Sequence, residues 1–239
     1  MTSSEGSILT VTGTVLSRAA RTALAAWPGT PAEARALQGE LAERVSLVDM
    51  AGRIGLVGGL DVHFSRDGRT SYAAAVLMEG EGRHIVESAL AASPTTFPYV
   101  SGLLSFRETP VALRALTLLG RRPDLLLVDG QGIAHPRRFG LACHIGLLAG
   151  IPTIGVAKSR LIGAHAEPGP ERGAFVPLTH KGETIGVVLR SKRNVRPLYV
   201  SPGHGISLPR AMSLTLAYTH CYRLPEPTRL ADALSRCHG

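Results

Sequence analysis

Cysteine is scarce in this 239-residue chain. There are three, Cys143, Cys221 and Cys237, odd in number, scattered, and never in a CxxC pair. A disulfide framework and a zinc knuckle are therefore disfavoured, and a reducing compartment fits. No apolar run approaches the roughly 18 residues of a membrane span. The first 27 residues lack a compact apolar stretch with a cleavage site, so the reading is a cytoplasmic chain without a signal peptide or membrane partner. No internal repeat is visible. Acidic residues are the minority: 18 Asp plus Glu stand against 26 Lys plus Arg, for a net charge of +8. Such a surface either keeps the protein soluble or meets a polyanion, since phosphate contacts release counterions.

What is present is enough apolar material, 44% of residues, for a core without staples. The length suits one large domain or a domain with a terminal extension. Residues 1–29, rich in Ser, Thr and Ala and without a clear period, read as an extension. The domain then covers 30–239. Thr30, Pro31 and Glu33 form a capping-box start. With Ala36, Leu37, Leu41 and Val45 on one face they predict a helix to about residue 47.

Strands are predicted over 55–64, 72–78 and 84–89 as an antiparallel meander, then 124–128, 153–156, 185–189 and 197–200. Helical spacing covers 102–119, with an interruption at Pro110, then 141–148, 208–218 and 227–237. The order β-β-β-α-β-α-β, then helices, describes an α/β mixed sheet flanked by helices.

Asp61 ends one hydrophobic strand (VGGLDVHF) and Asp129 another (LLLVDGQG). A single such Asp reads as a turn former or a cap. Two at the same structural station, where α/β sheets gather reactive groups, weaken that reading. Glu108 in SFRE and Asp232 in PEPTRLADAL bring the acids to four. Oxygen ligands without His or Cys at ligand spacing suit a hard cation, Mg²⁺ or Mn²⁺, rather than zinc. Lys158 is either a solvated strand-end lysine or a cation that holds a phosphate or orients a water. His135 either caps its loop or contacts a base or phosphate. Arg137 and Arg138 read as phosphate contacts. Gly130 and Gly132 permit close approach of a ligand.

The strings FPYVSGLLSFRETP (97–110), LLLVDGQGIAHPRRFGLACHIGLL (125–148) and PTIGVAKSRLIG (152–163), followed in order by VSPGHGISL and PEPTRLAD, resemble the signature blocks of the endonuclease V family. The likeness runs from Thr30 to the C-terminus. It implies a ribonuclease H-like fold, with three antiparallel strands followed by parallel ones. It also implies Mg²⁺-dependent cutting of DNA at deoxyinosine, the product of adenine deamination. The bond cut is the second phosphodiester 3′ to the lesion, leaving 3′-hydroxyl and 5′-phosphate ends. Mn²⁺ substitutes for Mg²⁺, and the chain acts as a monomer.

By motif, Asp61 and Asp129 are the direct metal ligands, with Glu108 assisting. Asp232 takes a fourth catalytic position that is His in some relatives. Lys158 sits near the scissile phosphate. Tyr99 is the aromatic wedge. Gly102, Leu104, Gly130, Gly132, His135 and Leu141 form a hypoxanthine pocket, and Arg137 adds to the DNA contacts. Ser101 replaces the second proline of the family's Pro-Tyr-Ile-Pro wedge, which makes it less rigid, and Cys143 stands where serine is common. Inosine-containing RNA as the substrate, or a non-catalytic damage-binding protein, are the alternatives. The presence of all four acids counts against the latter.

Overall fold

Strands β1 (Val57–Phe64), β2 (Thr70–Glu79) and β4 (Leu125–Val128) are apolar on both faces, which dictates a sheet covered on both sides. The structure, a computed structural model, describes residues 24, 26–50, 52–79 and 83–237. The other elements are α1 (Pro31–Ala42), β3 (His84–Pro94), α2 (Leu104–Thr117), α3 (Leu141–Ala149), β5 (Thr153–Ala157), β6 (Phe175–His180), β7 (Glu183–Leu189), β8 (Leu198–His204), α4 (Leu208–Ala217) and α5 (Glu226–Arg236).

Eight strands form one sheet in the order β3-β2-β1-β4-β5-β8-β7-β6. β1, β4 and β5 are parallel; every other neighbouring pair is antiparallel. The expected meander followed by parallel strands is present, and an antiparallel outer trio extends it. Residues alternate between the two layers. Leu126 and Val128 meet α2 and α3 through Val111, Leu116 and Ile145. Leu125 and Leu127 face α4 and α5 through Ala211 and Ala231. No helix among the described residues is long and apolar enough to cross a membrane.

Three expectations are corrected. α1 ends at Ala42, short of residue 47. Its capping box is present, but beyond the helix the backbone is claimed by β8. Ser46 N donates to His204 Nδ1 at 3.2 Å, and Gly205 N donates to Ser46 O at 2.7 Å. β6 was not anticipated. It is an edge strand containing Pro177, and an edge is the place where a missing N–H is tolerated.

The third correction concerns α2, which runs unbroken through Pro110. Proline removes the donor for the carbonyl four residues earlier, here Phe106. Trp27 Nε1 supplies that donor at 3.0 Å. Trp27 also stacks on His144, with ring centroids 5.1 Å apart. Residues 1–23 and 25 of the expected extension lie outside the described residues, whereas Trp27 is part of the core packing. Trp27→Phe should keep most of the ring contacts but strand the Phe106 carbonyl. It should cost about 1–3 kcal/mol in urea unfolding. An unchanged midpoint would remove Trp27 from the account of the proline helix.

Candidate active site

Parallel pairing of β1 with β4 places Leu60 opposite Val128, so the next residue of each chain, Asp61 and Asp129, stand side by side. The Asp129 amide donates to Leu60 O at 2.9 Å and fixes this junction. α5 lies across β1 and brings Asp232. It can come this close because Gly59 has no side chain: a Cβ there would stand 2.0 Å from the Pro227 carbonyl oxygen. Carboxylate oxygens of Asp61, Asp129 and Asp232 all lie within 4.8 Å of one another.

Ser235, one turn beyond Asp232, donates a hydrogen bond to Asp61 Oδ2. Its spacing of three from Asp232 puts both on one helix face, a signal present in the sequence. Lys158, just past β5, donates to Asp232 Oδ1 and is ion-paired with Asp129 Oδ2.

The electrostatics follow from crowding like charges in a half-dry place. Asp61 and Glu108 are each only 8% exposed. Burial, with Asp129 and Asp232 adding to it against the Ser235 hydrogen bond and Lys158, pushes the Asp61 carboxyl up to about 7. Burial, then the fields of Asp61 and Asp129, push Glu108 up to about 8. Burial alone would lower the Lys158 pKa, but its two aspartate partners outweigh that and raise it. Burial of Asp232 is likewise outweighed, by Lys158 and Arg236, and its pKa falls.

Three carboxylates converging at oxygen-ligand spacing, one with its pKa pushed up to about 7 chiefly by burial, fit a hard divalent cation. The expected ligand set was Asp61, Asp129 and Glu108. The group brought within 4.8 Å contains Asp232 instead. Glu108, on α2, lines the adjoining cavity with Asp129.

That cavity, of about 380 Å³, is also lined by Tyr99, Gly102, Leu104, Gly130, His135, Leu141 and Lys158. Tyr99 stands at its rim, 72% exposed. Gly102 adopts a φ of +76°. Its carbonyl accepts from Arg137 Nη2 at 2.7 Å and Gln38 Nε2 at 3.1 Å, and Gln38 also bonds Arg137. Gln38 was not anticipated; its polar group on the buried face of α1 was the available sign. His135 is buried, and desolvation followed by the Arg137 charge pulls it down to about 4, so it is neutral at physiological pH.

Three of the expected contacts are not among the residues lining the cavity. Gly132 lies behind the cavity wall, packed on β8, where a Cβ would stand 2.0 Å from the Pro202 carbonyl oxygen. Arg137 is engaged with Gln38 and Gly102 as described. Arg138 is paired with Glu183 at 2.7 Å.

The endonuclease V family model matches residues 39–233. Endonuclease V of Azotobacter vinelandii is 56% identical over 209 residues, 87% of this chain and 95% of that protein. The crystal structure of endonuclease V from Streptomyces avermitilis superposes with a TM-score of 0.85 at 45% identity, covering 90% of this chain and 95% of that one. The endonuclease V of Ciona intestinalis, solved with a 24mer DNA containing an inosine followed by a ribo-adenosine, has a TM-score of 0.77 at 30% identity. It covers 87% of this chain and 96% of that one. The mixed sheet is thus the ribonuclease H-like fold of these relatives. Asp61 lies within β1, which runs on to Phe64 rather than ending there, while Asp129 directly follows β4; with these two and Asp232 of α5 gathered together, this chain belongs to the endonuclease V family.

Proposed function

We propose that the protein is a DNA repair endonuclease that recognises deoxyinosine and hydrolyses the second phosphodiester bond on its 3′ side. The observation that carries the reading is one juxtaposition. Three aspartates gathered within 4.8 Å adjoin a cavity of about 380 Å³ that has an exposed tyrosine at its rim. Cutting a strand needs the first; examining a base outside the stack needs the second and third. A relative bound to inosine-containing DNA supports the choice of base.

Asp61, Asp129 and Asp232 would hold Mg²⁺, or Mn²⁺ in its place. The ion would polarise the scissile phosphoryl oxygen and cancel the acids' repulsion of the phosphate. Lys158, already between Asp129 and Asp232, keeps a positive charge facing the phosphate. Glu108, whose pKa is pushed up to about 8, takes the proton of the attacking water in its ionised form, a form that the charge of a bound cation would favour. The water oxygen bonds to phosphorus as the bond to the 3′-oxygen breaks; that oxygen takes a proton from solvent, leaving a 3′-hydroxyl and a 5′-phosphate. Tyr99 fills the gap left by the displaced base. Main-chain groups at Gly102 and Gly130, with Leu104, neutral His135 and Leu141, surround the base.

A strand with one inosine, incubated with the protein and Mg²⁺, should be cut once, one nucleotide beyond the lesion. A 5′-phosphate should appear on the downstream piece. Cutting at the lesion's own phosphodiester, or equal cutting of an adenine control, would overturn the reading. Matched RNA strands run beside the DNA decide whether the 2′-hydroxyl is tolerated.

A further inference from the structure

Beyond Lys158 the cavity has a neighbour. Lys158, Ser159 and Arg160, the segment leaving β5, line the cavity of about 380 Å³ on one side and a second groove of about 490 Å³ on the other. Five cations line that groove: Lys158, Arg160, Arg190, Arg196 and Arg223. Its single carboxylate, Glu167, is already paired with Arg190 at 2.7 Å.

Two of the arginines are structural. Arg190 bonds the Gly169 and Pro168 carbonyls at 3.0 and 2.9 Å. Arg223 ties the Lys158 carbonyl at 2.8 Å to the Pro197 carbonyl at 2.7 Å, which holds the groove to the acidic site. Arg160 and Arg196 are different. Both are exposed, and neither guanidinium has a hydrogen-bond or ion-pair partner among the described residues. Tyr199, half-buried, adds an aromatic ring to the wall. A positive channel with an aromatic wall is the general form of a single-strand binding groove.

We infer that this groove carries the substrate strand on the 3′ side of the cut, with Arg160 and Arg196 on its backbone phosphates. The polarity rests on the proposed function. There the lesion base lies 5′ to the scissile bond and occupies the cavity, so the chain leaving the acids towards 3′ passes the shared Lys158–Ser159–Arg160 wall into the groove. A protein partner would need carboxylates spaced like phosphates. A nucleic-acid strand supplies them at every residue and is continuous with the site.

The test is fluorescence anisotropy with the full chain in EDTA, where no cutting intrudes. The probes are inosine-containing single strands with a constant 5′ flank and a 3′ flank of about two to ten nucleotides. Affinity should climb about tenfold with 3′ length. Arg160→Ala with Arg196→Ala should lose most of that climb. It should also make the slope of log K against log salt shallower by about 1.4, at about 0.7 per phosphate on a single strand. The charge-matched pair Arg53→Ala with Arg121→Ala, exposed ahead of β1 and β4 at the opposite end of the sheet, should keep the climb.

An undiminished climb in the first pair, or an equal loss in the second, would overturn the inference. If the unsubstituted chain showed no preference for inosine over adenine, the lesion reading would fall instead. The salt slope would still judge whether the groove holds phosphates.

Discussion

Asp61→Asn is expected to abolish cleavage, by about a thousandfold or more, and at the same time to raise the melting temperature of the metal-free chain. Both effects come from one fact. Asp61 is buried beside two other carboxylates, and its pKa stands near 7 rather than in the ordinary carboxylate range. Holding it ionised therefore works against folding, by an amount on the order of a few kcal/mol. The amide is uncharged, fills the same space and still accepts from the Ser235 hydroxyl.

The sign can be followed through pH. Below the pKa of the unfolded carboxyl, Asp61 is protonated in both states and adds no penalty. As pH rises towards 7, only the unfolded state ionises it freely, so the folded chain loses stability. Above 7 the penalty is complete. The gap in melting temperature between variant and native chain should thus open from about pH 4 to about pH 7 and then level off, at about 5 °C for a chain of this size.

Taking the difference also cancels an opposite trend. Burial pulls His144 down to about 3, and burial with the Arg137 charge pulls His135 down to about 4. Both favour folding above the ordinary histidine pKa, and that advantage is lost on acidification. Mg²⁺ should stabilise the native chain and leave the variant nearly unmoved, because a ligand stabilises only the state that binds it. Scanning calorimetry in EDTA and in Mg²⁺ reads all of this. A variant that melts lower than the native chain at pH 8, or still cuts at a near-native rate, would remove Asp61 from the acidic centre. Such trade-offs between stability and activity are general at sites built from strained charges.

Tyr99→Ala is the second large effect, and it should be nearly invisible to stability. The ring is 72% exposed at the cavity rim, so its removal opens no core cavity. The melting temperature should move by no more than about 2 °C. Selectivity should change far more. An aromatic ring against a base contributes about 1–3 kcal/mol, and the wedge offsets part of the cost of unstacking. The ratio of kcat/KM for inosine-containing over undamaged strands should fall by about 5- to 150-fold, with cleavage chemistry intact at saturating substrate. An unchanged ratio would assign Tyr99 to the surface alone. Tyr99→Phe keeps the ring and should restore most of the ratio, which separates stacking from any hydroxyl contact.

Much of this protein was legible in its sequence, for reasons that are local. Buried strands announce themselves as short apolar runs, and an Asp directly after such a run, as at Leu60–Asp61 and Val128–Asp129, marks where the pairing of β1 with β4 runs out, although β1 itself continues to Phe64. Thr30, Pro31 and Glu33 specify a helix start through contacts within one turn. The ordered motif blocks carried the family, and with it the fold.

What tertiary structure alone decided lies where the partner is distant in the chain. Pro110 predicts a break, yet a donor from Trp27, 79 residues earlier, satisfies the carbonyl it orphans. Gly132 and Gly130 look alike in DGQG, but one packs on β8 and the other faces the cavity. Arg137 looks like a free cation until Gln38 and Gly102 are seen beside it. Which acids share a centre was settled by α5 lying across β1 at Gly59, which brings Asp232 to Asp61. Sequence records which groups a chain owns and how its nearest neighbours dispose them; which of those groups face each other across the core depends on packing.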